Sequence, residues 1–190
     1  MDYLDEQILK TKWELERKKH DTLETGIYVE EELITFTQMT LPNSSINIYL
    51  PNQFVIMPTE VKNLKYPSKD APDFIVTSLD SMVNICFNIL PIILEDGGTN
   101  MMSSQFRNAL KNINPAIIIQ NQVQTVTNQG NEMSWFEFKG YTLDGQSYNR
   151  IYLIKMHKVT LHGIFNCPIK IQNQWQHIIS KIFLSVEEDL

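Results

Sequence analysis

The stretch DAPDFIVTSLDSMVNICFNI, residues 70–89, decides the fold that this sequence predicts. Two runs of strand-forming residues, DFIVTS and SMVNICFNIL, begin within it and are separated only by Leu79 and Asp80. So short a connection favours an antiparallel hairpin. The hairpin is therefore the starting point for placing the rest of the chain.

The second run of this hairpin alternates in character, so successive side chains point to opposite faces of a sheet. One face carries Val83, Ile85, Phe87 and Ile89, and the other carries Asn84, Cys86 and Asn88. If both faces are covered, the two asparagines need hydrogen-bond partners, because buried amides without partners are costly. Two interpretations are open: protein groups satisfy the amides and the motif is structural, or the amides line a pocket.

Upstream of the hairpin, the sequence predicts a second hairpin and a short helix. ELITFTQMTL (32–41) and INIYLP (46–51) flank the turn residues 42–45. Thr59 is predicted to be the N-cap of a helix that ends at Tyr66, because the residue before a proline is pushed out of the helical region. Residues 1–25 are charged and predict a separate segment, helical or partly flexible, with a narrow apolar stripe of Leu4, Ile8, Leu9 and Trp13.

Downstream, the sequence predicts a helix, four strands and a second helix. Thr99 or Asn100 is predicted to cap a helix that runs to about residue 112 and packs on the sheet. Asp144 and Gly145 give the strongest turn signal among the strands. The strands are AIIIQNQVQTV, SWFEFKGYT, SYNRIYLIKM and VTLHGIFNC. The clearest amphipathic helix carries Trp175, Ile178, Ile179, Ile182, Phe183 and Val186 at helical spacing.

These elements predict one α+β domain over residues 26–190. Its architecture is an antiparallel sheet of about six to eight strands flanked by helices, an α/β/α sandwich. The chain of 190 residues is 43% hydrophobic, which is ordinary globular composition.

The charge of the chain limits the classes of partner. A net charge of −6 and a pI near 5.2 work against nucleic-acid binding, which needs clustered lysine and arginine. The longest apolar runs are too short to span a bilayer, so membrane insertion is not expected. Because the first twenty residues are charged and lack the apolar run of a secretory signal, a cytoplasmic location is expected.

Catalytic and metal chemistry find little support in the sequence. The best cluster of metal-ligating types is His157, His162 and Cys167, but its spacing does not place three ligands on one face of a strand. The two cysteines, Cys86 and Cys167, are predicted to be reduced core residues rather than a disulfide. No cofactor-binding fingerprint is present, so no cofactor and no metal are expected.

One strand face suggests binding. In SWFEFKGY, Trp135, Glu137, Lys139 and Tyr141 share the face opposite Phe136 and Phe138. Aromatic residues beside charges are typical of an interaction surface. The competing interpretation is that a terminal helix covers this face.

A set of spaced residues runs from the end of the predicted short helix through the opening hairpin: Tyr66, Pro67, Pro72, Asp73, Ile75, Thr77, Asn84, Phe87 and Asn88. Together with the order of elements, this pattern resembles the Mog1/PsbP-like fold. The resemblance covers roughly residues 30–187, and the pattern looks like that of small bacterial proteins of uncharacterised function. It implies an antiparallel sheet between helices and a non-catalytic role, because better-known members bind a small GTPase or attach to the photosynthetic oxygen-evolving complex. Neither partner is carried over, since no partner-binding motif matches.

The function predicted first is a non-enzymatic accessory or adaptor domain that binds an unidentified protein, with Trp135, Glu137, Lys139 and Tyr141 as the contact residues. The alternative is a small-ligand module with a pocket between sheet and helix, lined by Asn84 and Asn88. A cysteine-dependent enzyme is the third hypothesis.

Overall fold

A computed structural model describes residues 4–68, 71–142 and 145–189 of the chain. Within them the helices are α1 (Leu4–Lys19), α2 (Thr59–Lys65), α3 (Gly98–Ile113) and α4 (Gln172–Leu184), and a 3-10 turn at Ile169–Ile171 precedes α4. The strands are β1 (Asp21–Thr22), β2 (Gly26–Val29), β3 (Glu32–Ile34), β4 (Phe36–Thr40), β5 (Ile46–Pro51), β6 (Val55–Ile56), β7 (Phe74–Thr77), β8 (Asn84–Leu90), β9 (Ile118–Val126), β10 (Glu132–Thr142), β11 (Gly145–Lys155), β12 (Thr160–Pro168) and β13 (Glu187–Glu188). Asp144 of the predicted turn lies outside the described residues.

The described strands form one large and two small antiparallel sheets. The main sheet has seven strands in the order β6-β7-β8-β12-β11-β10-β9, and the small sheets are β1-β2-β3 and β13-β5-β4. Helix α4 contacts β2, β5 and β12, so it lies with the small sheets on one face of the main sheet. Helices α2 and α3 lie on the other face. The predicted fold class, an antiparallel sheet flanked by helices, is confirmed.

The hairpin that decides the fold is β7 and β8, paired antiparallel from Phe74↔Phe87 to Thr77↔Asn84. Its alternation separates two cores. Ile85 and Phe87 pack in the main core with α4, whereas Cys86 packs with Met57 and Ile75 in a second cluster that Val61 and Tyr66 of the α2 region cover. Both faces of β8 are therefore covered, which rules out a wetted polar face.

Helix α4 anchors the main core through the predicted apolar stripe. Phe183 stacks on Tyr152 with ring centroids 3.8 Å apart. Gly163 of β12 lies beneath Phe183, where a Cβ atom would meet the Phe183 ring at 2.1 Å. The glycine therefore creates the space that the ring occupies. The buried residues of α4 are Trp175, Ile178, Ile179, Ile182 and Phe183.

Three predictions of local structure are corrected. ELITFTQMTL forms not one strand but two, β3 and β4, which belong to different sheets. Helical geometry begins at Thr59, so Pro58 rather than Thr59 is the N-cap of α2. The N-cap of α3 is Gly97, in the left-handed region at φ 78°, rather than Thr99 or Asn100. A glycine adopts this conformation without the cost that a Cβ atom would add.

The ends of the described chain differ in how they are held. Helix α1 has no buried residue, and its Trp13 ring makes an edge contact with Tyr28, with centroids 6.4 Å apart. Strand β13, which no sequence signal predicts, pairs with β5. The Glu188 carboxylate also accepts the His157 backbone N–H at 2.7 Å. Among the described residues, no helix has both the length and the apolar character needed to cross a membrane.

A residue of the sheet caps α3. The Glu132 carboxylate of β10 accepts the backbone N–H groups of Gly97 (2.8 Å) and Thr99 (3.1 Å) and also the Thr99 hydroxyl. An acid at a helix N-terminus satisfies unpaired donors and complements the helix dipole. Burial raises the pKa of Glu132, but the hydrogen bonds from Thr99 and Gly97 outweigh it, so the net pKa is lowered.

We expect Glu132→Ala to lower the free energy of unfolding by about 1 kcal/mol, because the first turn of α3 loses its cap. Glu132→Gln keeps an acceptor oxygen and should lower the free energy of unfolding by less. Since the folded-state pKa of Glu132 is lowered, its contribution is present above the unfolded-state pKa and disappears as pH falls through the folded-state value. Urea unfolding of both variants across acidic pH measures this. Equal stability of all three proteins at neutral pH would contradict it.

Candidate functional site

The sheet register brings the predicted contact residues together on one face near the free edge. Strand β10 pairs with β11 on one side and with the edge strand β9 on the other. Trp135 lies opposite Tyr152 and Val123, and Lys139 lies opposite Tyr148 and Ile118. This is the face that α4 packs on, and α4 covers part of it.

A buried ion pair forms the centre of this face. Glu137 and Arg150, each 4% exposed, are opposite one another on β10 and β11, with Arg150 Nη2 3.1 Å from Glu137 Oε2. Tyr148 also donates its hydroxyl to the Glu137 carboxylate, and Asn121 Nδ2 donates to it at 2.7 Å. The sequence analysis names Glu137 as a contact residue of this face, and in the structure its carboxylate is buried and paired with protein groups.

Arg150 ties the ion pair to α4. Its Nη1 donates to Ser180 Oγ at 2.7 Å and to the Tyr152 hydroxyl at 3.1 Å, and its Nε donates to the Tyr148 hydroxyl at 2.9 Å. The guanidinium carbon also lies 4.2 Å from the centroid of the Trp135 ring. Trp135 is therefore held in a fixed orientation by a cation–π contact rather than left free on the surface.

Electrostatics keep this pair charged. Burial raises the pKa of Glu137, but hydrogen bonds from Tyr148 and Asn121 and the charge of Arg150 outweigh it, so the net pKa is lowered. For Tyr148, burial and the neighbouring Glu137 carboxylate raise the pKa, so its phenol stays protonated and donates. A donor in this state stabilises the carboxylate beside it.

Beyond α4, the same face carries exposed apolar side chains. Val123 is 36% exposed, Ile118 46% and Tyr141 58%, and Lys139 is half-buried among them. We call these four residues together with Trp135 the edge face. It combines aromatic and aliphatic surface with a single lysine, a composition found in protein interfaces.

Strand β9 borders the edge face and ends the sheet. Nothing within the described residues pairs with its outer side, and its nine residues, IIQNQVQTV, contain no charge and no proline. Its register with β10 shifts between Phe136 and Phe138, because a bulge adds one residue to β9 and turns Asn121 toward Glu137. An edge strand without charged or proline residues is open to pairing with another chain.

The asparagines of the opening hairpin lie on the opposite face of the sheet, away from the edge face. Asn84 is fully buried; its Oδ1 accepts from the Thr77 hydroxyl at 2.9 Å, and its Nδ2 donates to Asn166 Oδ1 at 2.8 Å. Asn88 Oδ1 accepts the Asp73 N–H at 2.9 Å, and its Nδ2 lies 3.2 Å from His162 Nδ1. Both amides thus bond to protein groups.

The candidate metal and nucleophile residues do not converge. On β12, His162 and Cys167 point to opposite faces, and His157 is exposed in the loop before this strand. Burial raises the pKa of the Cys86 thiol to about 11 and that of Cys167 to about 12. Burial also lowers the pKa of His162 to about 4, so its imidazole is neutral near pH 7. With pKa values this high, the thiols of Cys86 and Cys167 stay protonated and are not nucleophilic at neutral pH.

Sequence reasoning missed two partners of the predicted residues. Arg150 shares a strand face with Tyr148, Tyr152 and Ile154, and an isolated arginine there is a signal for a buried charge that needs an acid on the adjacent strand. Asn121 carries no such signal, because its position depends on the bulge. The edge position of β9 follows only from the order of the strands.

Comparisons with known proteins give similarity in structure alone. No family model matches the chain, and no curated protein matches it in sequence. Cyanobacterial PsbP (CyanoP) from Synechocystis sp. PCC 6803 is similar in structure with a TM-score of 0.60, 8% identity, and coverage of 81% of this chain and 92% of that chain. LpqN of Mycobacterium tuberculosis, described as involved in cell envelope biogenesis, gives a TM-score of 0.52, 10% identity, and coverage of 88% and 96%.

At such identities the likeness concerns the fold and not the activity. The resemblance that the sequence carries is nevertheless confirmed, since the match to PsbP spans most of both chains. This chain has a PsbP/Mog1-like fold.

Proposed function

We propose that this protein is a non-enzymatic accessory domain that binds another protein through the edge face and strand β9. The observation that carries the proposal is the position of exposed Ile118, Val123 and Tyr141 beside a strand whose outer side has no partner within the described residues. The partner would contribute an extended segment that pairs with β9, while its apolar side chains cover the edge face.

The rigidity of the edge face supports this role. Trp135 is held by Arg150, and Arg150 is held by Ser180 of α4 and by Glu137. A preorganised aromatic loses little side-chain entropy on binding, so more of its contact energy contributes to affinity. Large, fixed aromatic residues of this kind dominate the binding energy of protein interfaces.

The state of the reactive side chains supports a non-enzymatic role. Both thiols have raised pKa values, and His162 contacts Phe106 with ring centroids 5.1 Å apart rather than a nucleophile. A cysteine enzyme needs a thiolate and a base within hydrogen-bond reach.

The cytoplasmic location stays a prediction, which cell fractionation measures.

We expect Val123→Lys to abolish capture of the partner, because a lysine on an edge strand introduces charge into the interface and blocks strand pairing. The matched control is Thr37→Lys, on β4 at the edge of a small sheet, where the side chain is also exposed. Affinity capture from native lysate with quantitative mass spectrometry compares the two variants with the wild type.

The supporting outcome is a protein that the wild type and Thr37→Lys retain and that Val123→Lys and Tyr141→Ala lose. A photo-crosslinking residue at position 141 should then join the same protein. If all four proteins capture an identical set, the edge face is not the binding surface and the proposal is wrong.

A further inference from the structure

Helix α1 carries an apolar face that its own domain leaves uncovered. Leu4, Ile8 and Leu15 are 72%, 46% and 55% exposed. Together with Thr11 they recur at intervals of four, three and four residues, which is the heptad spacing of a coiled coil. We call these four residues the α1 seam.

The contacts that hold α1 to the domain leave the α1 seam pointing outward. The Trp13 ring contacts Tyr28, with centroids 6.4 Å apart, and the Arg17 guanidinium donates to the Glu30 carbonyl. At 100° per residue, Trp13 and Arg17 both lie on the side of the helix opposite the seam. Helix α1 is therefore fixed by one side and presents its apolar side to the solvent.

The charges of α1 are divided between its two ends. The first turn carries the acids Asp5 and Glu6, and the last turn carries the bases Arg17, Lys18 and Lys19. When two such helices lie side by side and antiparallel, the acidic end of each meets the basic end of the other, and their dipoles are opposed. A parallel pair would place like charges together at both ends. The charge pattern of α1 is therefore complementary to a second copy of itself.

An antiparallel pair of α1 helices has one register in which every seam residue meets another seam residue. Leu4 of each copy would pack against Leu15 of the other, and Ile8 would pack against Thr11. These are the a-to-d layers of an antiparallel coiled coil. The exposed apolar side chains of both copies are then removed from water together.

The same register brings opposite charges together beside the α1 seam. Asp5 and Lys12 occupy the flanking position of successive heptads on the same side of the seam. In the antiparallel pair, Asp5 of each copy would lie next to Lys12 of the other, so the two-fold symmetry forms this pair twice. Within the described part of the chain, neither Asp5 nor Lys12 makes an ion pair. Both are therefore available to the second copy.

We propose that two copies of this chain associate through the α1 seam, as an antiparallel coiled coil of their α1 helices. The mixed charges that flank the seam favour this occupant over a membrane surface, because a helix that lies on anionic lipid carries lysine and arginine along its polar face. The α1 seam is separate from the edge face, so the dimer leaves β9 available to a protein partner.

Sedimentation velocity of the full chain, over concentrations from about 5 to about 500 µM, measures the assembly. We expect a species of twice the 22.1 kDa chain mass, with a dissociation constant on the order of 10⁻⁵ to 10⁻⁴ M, because two heptads form a small interface. Ile8→Glu places a charge in the α1 seam and should weaken the dimer at least ~30-fold. The matched control is Leu64→Glu on α2, where the side chain is 85% exposed, and it should dimerise as the wild type does.

Charge reversal tests the register separately from the apolar seam. Asp5→Lys and Lys12→Asp each turn two attractive pairs into repulsive ones and should weaken the dimer roughly 10-fold. The double variant restores both attractions with their signs exchanged, so it should dimerise nearly as well as the wild type. All the substituted side chains are exposed, so the fold should not change, and circular dichroism checks this.

The outcomes separate this proposal from the proposed function. A monomer at every concentration, or equal dimerisation of the wild type and Ile8→Glu, would overturn it. A double charge-reversal variant no stronger than the single ones would also count against it. Val123→Lys, on the edge face, should dimerise normally even if it loses its protein partner, so the two proposals fail separately. If Val123→Lys instead loses the dimer, self-association occurs through β9 and the proposal for α1 is wrong.

Discussion

Arg150→Met will lower the free energy of unfolding by about 3–5 kcal/mol, because it leaves the Glu137 carboxylate buried without its counter-charge. Arg150 also satisfies Tyr152 and Ser180, whose hydrogen bonds are lost in the same variant. Urea unfolding followed by circular dichroism measures the loss. The exposed pair of Lys19 and Glu16 provides the control, since Lys19→Met should leave stability unchanged.

The double variant Arg150→Met with Glu137→Leu separates the charge from the packing. Replacing both members of a buried pair by apolar residues removes the uncompensated charge, so the double variant should be more stable than Arg150→Met alone. The pH dependence of the free energy of unfolding provides an independent test. Because the folded-state pKa of Glu137 is lowered, the wild type loses this contribution as pH falls through that value. A double variant less stable than the single one would contradict a charge-based explanation.

Gly163→Ala will destabilise the protein by about 3 kcal/mol, at the upper end of the usual cost of overpacking. The added Cβ atom would lie 2.1 Å from Phe183 Cε1 and 2.4 Å from Cζ. The ring has no room to withdraw, because Tyr152 is stacked on it at 3.8 Å and Phe87 lies 5.9 Å away, between centroids. Thermal and urea unfolding measure the effect.

Two further variants test this explanation. Gly140→Ala, on β10, places its Cβ atom 3.2 Å from the Ser147 hydroxyl oxygen, a small group that can rotate away, so the loss should be well under half as large. Phe183→Leu replaces the ring that the new methyl group meets with a smaller side chain. In that background, Gly163→Ala should therefore lower the free energy of unfolding by less. Additive losses in the double variant would show that the clash is not the cause.

Elements that depend on local pattern could be predicted from the sequence. The alternation from Val83 to Ile89 predicted strand β8 and its two distinct faces, and the spacing from Trp175 to Phe183 predicted α4 and its buried stripe. The same logic placed Trp135 and Glu137 on one face of β10. These features follow from periodicity alone, which is why they could be predicted without knowledge of the tertiary structure.

Features that depend on distant residues could not be predicted. The cap of α3 comes from Glu132, 33 residues from Thr99, so the search for a local capping residue failed there. The pairing of Glu137 with Arg150 could not be predicted, because Arg150 is on the next strand and one register shift would have separated the two residues. The bulge that brings Asn121 to this pair leaves no mark in the hydrophobic pattern.

The pairing of β8 with β12 has a consequence for biosynthesis. These neighbours in the main sheet, joined at Phe87↔Gly163, are separated in sequence by α3 and by β9–β11, strands that pair with their neighbours along the chain. During translation the β7–β8 hairpin therefore emerges long before its partner strand, and the apolar edge of NICFNIL stays open until residue 168 leaves the ribosome. We expect this segment to be the one that a nascent-chain chaperone binds.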